Sequence, residues 1–304
     1  MKKRFLATIL TFCMMLTLLP GAALAEESAN GSCGDNLTWS IDGDILTING
    51  FGVMDSYNSN NVPWGSSRDK IKHIKLPDGL TCIGTYAFYA CHGLTSISIP
   101  DSVTSIGGFA FCECSNLTDI SIPESVTFIG ESAFEGCNNL AGINIPNGVF
   151  AIHERLFWGC SELTSISIPN SVTSIGQAAF YSCSNLNNVS ISNSVISIGA
   201  GAFYACHGLT SISIPKSVTS IGGSAFYGCD NLTSISIPKS VTSIGTTAFN
   251  ECSSLRDVYY GGNEDDWTNI YVYMGNQALL NATIHYDSTK PDDVGKKTIS
   301  GVLR

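Results

Sequence analysis

The 304-residue chain has few charged residues, 13%, which is about half the share usual in globular proteins. Hydrophobic residues make up 44%, enough to fill a core, and this excludes a chain that is disordered throughout. The 15 basic and 25 acidic residues give a net charge of −10. A nucleic-acid-binding protein requires the opposite balance, so we expect no nucleic-acid partner.

Residues 1–25 have the organisation of a secretory signal peptide. Residues 2–4 are basic, residues 5–19 are apolar, and an Ala-Leu-Ala cleavage site occupies 23–25. The apolar run is too short to span a bilayer comfortably, which favours cleavage over a retained anchor. We therefore expect a secreted chain with no membrane span after cleavage.

A 23-residue repeat fills residues 72–255 without an insertion. A phenylalanine precedes each repeat cysteine by three residues, and a leucine follows it by three. The repeat cysteines are Cys91, Cys114, Cys137, Cys160, Cys183, Cys206, Cys229 and Cys252. Eight occurrences in one register indicate a repeat architecture.

Each repeat can be interpreted physically. Thr95–Ile99 alternates with period two, which predicts a strand with one buried face, and Pro100 ends it. Gly107 predicts a turn. The apolar residues between Ala110 and Leu117 have the spacing of a short helical or 3₁₀ turn. One repeat therefore forms one coil with its apolar side chains inside, and stacked coils form a β-dominated solenoid.

The pattern I-x-I-P-x-S-V-T-S-I-G-x-x-A-F-x-x-C-x-x-L resembles the BspA-type, or Treponema pallidum-type, leucine-rich repeat of bacterial surface proteins. The resemblance implies a leucine-rich-repeat solenoid outside a bacterial cell or on its surface, used for adhesion or protein binding. The flanking segments are similar to modules that accompany such repeats, which suggests capping domains. Ser192 replaces the strand-ending proline of one repeat and His153 replaces the turn glycine of another, and we expect both to alter local geometry.

The resulting division of the chain has five parts. We predict a signal peptide at 1–25, an N-terminal cap at 26–71, eight repeats at 72–255, a C-terminal cap at 256–286, and a polar tail or the start of a further domain at 287–304.

The repeat cysteines are expected to be free, buried thiols. Side chains that point in parallel rarely have the torsion a disulfide needs, although bridging of some pairs remains an alternative. Cys33 and Cys82 lie outside the repeat register and form the candidate disulfide. Paired C-x-x-C motifs, a nucleophile elbow, a P-loop and a dinucleotide fingerprint do not occur. We therefore predict no metal, no cofactor and no enzymatic activity.

Two surface rows vary from repeat to repeat. The slot after each repeat phenylalanine places an aromatic stripe at Trp158, Tyr181, Tyr204 and Tyr227, which either binds a ligand or packs between coils. The slot two residues after the last strand isoleucine runs from acidic to basic through Asp78, Asp101, Glu124, Lys216 and Lys239. This charge row either favours weak self-association or reflects drift at a solvated position.

The repeat from Ala141 to Leu163 departs most from the consensus. It places Phe150, His153, Arg155 and Trp158 in slots that hold other residue types in the consensus, so these residues are further candidates for a binding site, with neutral divergence as the alternative. Function is expected to be non-catalytic binding or adhesion to a protein or host-surface ligand. The alternatives are a self-assembling envelope component and a glycan-binding region of a larger secreted protein.

Overall fold

The computed structural model describes residues 29–288 and shows a β-solenoid whose strands pair at a spacing of 23 residues. The solenoid predicted from the repeat is therefore confirmed. The predicted signal peptide and the tail from residue 289 onward lie outside the described residues.

The N-terminal cap extends the solenoid with an antiparallel meander. Strands β1 (Asn30–Gly34), β2 (Leu37–Asp42) and β3 (Ile45–Val53) pair in that order, and a 3₁₀ turn follows at Gly65–Ser67. β3 then pairs in parallel with β4 (His73–Lys75) and β5 (Gly79–Ile83). The cap thus provides the first parallel partner for the repeats.

Two rows of short strands run along the solenoid. The row we call the serine face contains β4, β6 (Ser96–Ser98), β8 (Asp119–Ser121), β11 (Ser165–Ile168), β13 (Asn188–Ile191), β15 (Ser211–Ser213), β17 (Ser234–Ile237), β19 (Asp257–Tyr260) and β21 (Thr283–His285). The row we call the glycine face contains β5, β7 (Ser105–Ile106), β9 (Phe128–Ile129), β10 (Ala151–Ile152), β12 (Ser174–Ile175), β14 (Ser197–Ile198), β16 (Ser220–Ile221), β18 (Ser243–Ile244) and β20 (Tyr271–Val272).

The alternating pattern is seen in the serine-face strands of the first coils, whereas β17 is buried at all four of its residues. Ile97 is buried while Ser96 and Ser98 on either side of it are exposed. Such alternation places the isoleucine in the core and the serines in solvent.

The third side of each coil, which we call the turn face, differs from the helical turn suggested by the spacing. The N–H of Cys114 donates to the carbonyl of Phe111, an i to i−3 bond of the 3₁₀ type. However, Phe109 and Glu113 have φ angles of 56° and 61°. Left-handed residues cannot continue a right-handed helix, so each coil forms separate tight turns.

The recurring glycine of the repeat is needed for close approach rather than for a positive φ. A Cβ on Gly107 would lie 2.5 Å from the backbone nitrogen of Thr85 in the preceding coil. The positive φ falls two residues later, at Phe109. The glycine therefore sets how closely neighbouring coils stack.

His153 occupies this glycine slot, and the glycine face is interrupted beside it. β9 and β10 do not pair, although the strands on either side of them do. At the other repeat glycines a Cβ would meet the backbone of the preceding coil, and we infer that the side chain of His153 causes the interruption in the same way. Residues 141–146 also form no strand, so the serine face is interrupted at the same coil.

The core consists of columns of identical side chains. The eight repeat phenylalanines are fully buried, and neighbouring rings lie 5.2–5.8 Å apart between centroids. Trp64 stacks on Phe88 at 5.9 Å and donates its indole N–H to the carbonyl of Ala87 at 2.9 Å. The N-terminal cap therefore closes the phenylalanine column with a larger ring.

The C-terminal cap continues both sheets before it closes the core. β19, β20 and β21 extend the rows, and two short helices lie between them, α1 (Glu264–Thr268) and α2 (Gln277–Leu280). Asn263 caps α1 through its side chain and the backbone N–H of Asp266. The backbone of Asp287 and Ser288 bonds to Gly262 and Tyr260, so the described start of the predicted tail is attached to this cap.

Candidate functional site

The aromatic stripe is a continuous stack of rings. The centroid of Tyr181 lies 4.2 Å from that of Trp158 and 4.3 Å from that of Tyr204, and Tyr204 lies 4.6 Å from Tyr227. The Tyr204 and Tyr227 rings are parallel within 1°. Each of these side chains is half-buried, because a neighbouring coil covers its face.

Both ends of the stack are also in contact with charged groups. The guanidinium of Arg155 lies 4.6 Å from the centre of the Trp158 ring and 3.7 Å from a carboxylate oxygen of Glu154. The hydroxyl of Tyr227 donates to Glu251 at 2.6 Å. The stripe therefore presents ring edges and hydroxyl groups, rather than open ring faces, to a ligand.

The divergent coil and the coil before it each expose one aromatic ring on the glycine face. Phe150 of the divergent coil is 65% exposed and Phe128 of the preceding coil is 47% exposed, in slots where most other coils place threonine or serine. The ring of His153 contacts that of Phe128 at 5.2 Å between centroids. Of the residues singled out in this coil, Phe150 and His153 lie on the glycine face, whereas Arg155 lies over Trp158.

The charge row is solvent-exposed along its length: Asp78, Asp101, Glu124, Lys216 and Lys239 are all exposed. At its basic end, the ammonium of Lys239 lies 2.8 Å from the carboxylate of Asp266 in the cap. This hydrogen bond raises the pKa of Lys239 and lowers the pKa of Asp266. Lys239 is thus partnered within the chain, which reduces the basic character of that end.

The repeat cysteines are buried thiols that hydrogen-bond to backbone. The Sγ of Cys114 donates to the carbonyl of Phe88 in the preceding coil at 3.1 Å, and the same bond recurs up to Cys252 and Phe226. Burial raises the pKa of Cys91 from 9.0 to about 12 and that of Cys114 well above 9.0. These thiols therefore stay neutral and unreactive at ordinary pH.

The candidate disulfide between Cys33 and Cys82 is not formed in the structure, where both are free thiols. The N–H of Asp55 bonds to the carbonyl of Cys33, and the N–H of Met54 bonds to that of Cys82. Consecutive N–H groups of an extended chain point in opposite directions, so Met54–Asp55 runs between the two cysteines. Two strand spacings of about 4.8 Å exceed the ~7 Å Cα limit for a disulfide.

A pocket of about 580 Å³ on the glycine face was not predicted from the sequence. One wall is the stacked pair Tyr86 and Phe109, whose ring centroids are 4.6 Å apart at 5°. The other wall is Phe128 with His153, and Glu131 also lines the pocket. The floor consists of the glycines 107, 108 and 130.

The signal for this pocket was present in the sequence. The slot two residues after the repeat glycine varies between coils and holds Tyr86, Phe109 and Ser132 in succession. Phe128 stands in a second slot, one residue before the strand isoleucine Ile129, where most coils place serine. Comparison of these two slots would have located the aromatic walls. The aromatic stripe lies in a different slot, directly after the repeat phenylalanine, and so does not indicate the pocket.

Residues 29–288 contain no group of three or more metal-ligating side chains placed to hold an ion. Within the same range, no helix has the length and apolar character needed to cross a bilayer.

The geometry defines a parallel β-solenoid repeat protein with a polar serine face and an aromatic pocket. The chain belongs to the BspA-type leucine-rich repeat family: the family described as "BspA type Leucine rich repeat region" matches it in six copies over residues 66–187 and 151–280. This confirms the resemblance found in the sequence. The family is a repeat scaffold typical of bacterial surface proteins.

Solved structures of bacterial leucine-rich repeat proteins are similar to this chain. A protein from Eubacterium ventriosum is 25% identical, with coverage of 85% of this chain and 78% of that one and a TM-score of 0.60. A protein from Bacteroides ovatus is 27% identical, with coverage of 83% and 77% and a TM-score of 0.48. A leucine-rich cell surface protein from Faecalibacterium prausnitzii is 23% identical, with coverage of 78% and 96% and a TM-score of 0.45. Comparison with curated proteins gave no match.

Proposed function

We propose that the protein is a secreted or cell-surface adhesion module of a bacterium, which binds a protein ligand and catalyses no reaction. The observation that carries this proposal is the exposed serine face. Ser98, Ser121, Asn144, Ser167 and Ser190 occupy equivalent positions in five successive coils and are all exposed. Toward the C-terminus the same row becomes half-buried at Ser213 and buried at Ser236. Membership of a family of surface proteins supports the same location.

The physical argument rests on rigidity. Strand pairing and a core of stacked rings fix the backbone beneath the serine face, so few degrees of freedom are lost when a partner binds. Serine hydroxyls donate and accept hydrogen bonds and lose little side-chain entropy when they are buried. A broad surface of this kind suits a protein ligand better than a small molecule.

The experiment is capture of extracellular proteins by the purified, immobilised protein. We expect Ser167→Arg to weaken capture, because the long side chain blocks the centre of the serine face. Gln177→Arg adds the same charge at an exposed position of the turn face and serves as the matched control. Equal capture by both variants would place binding elsewhere, and no capture by the unaltered protein would overturn the proposal.

Self-assembly into an envelope layer is the second candidate, and the exposed charge row favours it. Asp78 and Asp101 lie toward one end of the row and Lys216 toward the other, so two copies could pair through opposite charges. Sedimentation at low and high salt tests this, because pairing between exposed charges weakens as salt screens them. Association that does not depend on salt would contradict this candidate.

A further inference from the structure

The pocket between Tyr86 and Phe128 has a negative electrostatic character. Glu131 is exposed at its edge, and no lysine or arginine lines it. Burial chiefly raises the pKa of Tyr86, with smaller contributions in order from Cys112, Tyr89, Glu131 and Glu135. The pocket therefore disfavours anions and favours a cation.

Two aromatic rings outside the pocket are already covered by arginine side chains of this chain. The guanidinium of Arg68 lies 5.2 Å from the centre of the Tyr89 ring, and that of Arg155 lies 4.6 Å from that of Trp158. Within residues 29–288, these are the two rings with an arginine or lysine over the face. Phe109 and Phe128 have none, and the basic side chain that contacts Phe128 is His153.

The position of Glu131 adds a charged partner for such a group. It follows Gly130 in the pocket floor, and its side chain is exposed and lines the same pocket as Phe109 and Phe128. A carboxylate can accept two parallel hydrogen bonds from a planar guanidinium, whereas an ammonium is a compact point charge that gains less from flat walls.

We propose that this pocket binds the guanidinium group of an arginine side chain on a protein ligand. The guanidinium stacks on the faces of Phe109 and Phe128 and pairs with the carboxylate of Glu131. The volume of about 580 Å³ is sufficient for the side chain and the adjoining backbone of the ligand. This inference rests on the proposed function and adds a chemical determinant to it.

The test uses acetyl-Gly-Arg-Gly-amide as the probe, with titration of the purified protein by calorimetry and by amide chemical shifts. The matched probe replaces arginine by citrulline, which keeps the planar shape and removes the charge. We expect shifts at the pocket residues and about ten-fold weaker binding of the citrulline peptide, because the charge-assisted bond is lost. A lysine peptide is expected to bind more weakly than the arginine peptide.

Three variants distinguish a loss of contacts in the pocket from a general loss of the fold. Glu131→Gln should weaken binding of the arginine peptide about ten-fold, and Phe128→Ser about five-fold. Serine occupies the slot of Phe128 in other coils, as at Ser105, so the fold should tolerate this change. Ile196→Thr removes another exposed apolar group of the glycine face outside the pocket and should leave binding unchanged.

Several outcomes would overturn the inference. Equal affinity for arginine and citrulline, or no effect of Glu131→Gln, would exclude guanidinium recognition, and shifts caused by a neutral trisaccharide but not by the peptide would reassign the pocket to a glycan. Capture of a protein ligand that survives both pocket variants would overturn this inference and leave the proposed function intact. Peptide binding without protein capture would support the pocket and contradict the proposed function.

Discussion

The side-chain oxygen of Asn276 accepts a hydrogen bond from the backbone N–H of Phe249 at 2.9 Å. In the preceding coil, the equivalent N–H of Phe226 bonds to the carbonyl of Ala248. The asparagine amide also donates to the carbonyls of Gly245 and Tyr273, at 2.9 and 2.7 Å. Asn276 is almost fully buried. One side chain thus replaces the backbone of a further coil and ends the stack.

Asn276→Ala should therefore lower the free energy of unfolding by about 2–4 kcal/mol, because it leaves one buried donor and two carbonyls without this partner. Chemical denaturation measures the change. Asn281→Ala, at an exposed asparagine of the same cap, is the control and should change stability by less than about 0.5 kcal/mol. Similar effects of the two substitutions would contradict the capping role.

Gly222→Ala tests the role of the repeat glycine in stacking. The new Cβ would lie 2.5 Å from the carbonyl carbon of Gly199, so we expect a destabilisation of about 1–3 kcal/mol. Gly142→Ala is the control, since a Cβ there meets nothing within 4 Å and φ is not positive. That change should be neutral or slightly stabilising. If both variants unfold at the same denaturant concentration, the contact does not limit coil spacing.

His153→Gly is the reverse experiment. By analogy with the bond from Gly176 to Ile152, the amide of residue 153 should gain a bond to the carbonyl of Ile129. Hydrogen exchange should then slow at residues 150 and 153 as β9 and β10 pair. Unchanged exchange at both amides would show that His153 does not cause the interruption.

Replacement of Tyr181 and Tyr204 by serine tests the aromatic stripe. The double variant removes three ring contacts, each worth about 0.5–1.5 kcal/mol, and should lower the melting temperature. If the stripe also binds ligand, capture of the ligand is lost as well. Unchanged capture by a protein that melts at a lower temperature would assign the stripe to packing.

The buried thiols predict a loss of stability at alkaline pH. Burial raises the pKa of Cys91 from 9.0 to about 12 in the folded chain, so between these values the unfolded chain binds fewer protons. Stability is therefore fully present below pH 9 and falls as the pH rises toward 12. Denaturation at pH 8 and at pH 10.5 measures this, and Cys91→Ala should reduce the pH dependence. An identical pH dependence in that variant would contradict the assignment.

The repeat could be predicted from the sequence because every core position recurs, so periodicity alone identified the buried isoleucine, phenylalanine and cysteine columns. The turn face was predicted less well. Spacing between Ala110 and Leu117 does not distinguish a helix from separate turns, since only the backbone shows the left-handed φ of Phe109 and Glu113.

The surfaces were predicted only in part. The aromatic stripe was located by its slot, but sequence could not show that the rings cover one another. The pocket depends on side chains from four successive coils, and Glu131 becomes part of it only when Gly108 and Gly130 are stacked. The candidate pairing of Cys33 with Cys82 is not formed in the structure, where the backbone of Met54–Asp55 lies between them, and the spacing of the cysteines does not reveal this.

If the protein acts as an adhesion module, as proposed, the interruption at His153 has a mechanical consequence. Between the coils on either side of it, turn-face bonds remain, such as that from Phe134 to Leu156, while both sheet faces are unpaired. We expect a pulling force along the solenoid to open this boundary first. Residues 29–140 and residues 141–288 would then separate as two folded segments. This separation would lengthen the chain under load before either segment unfolds.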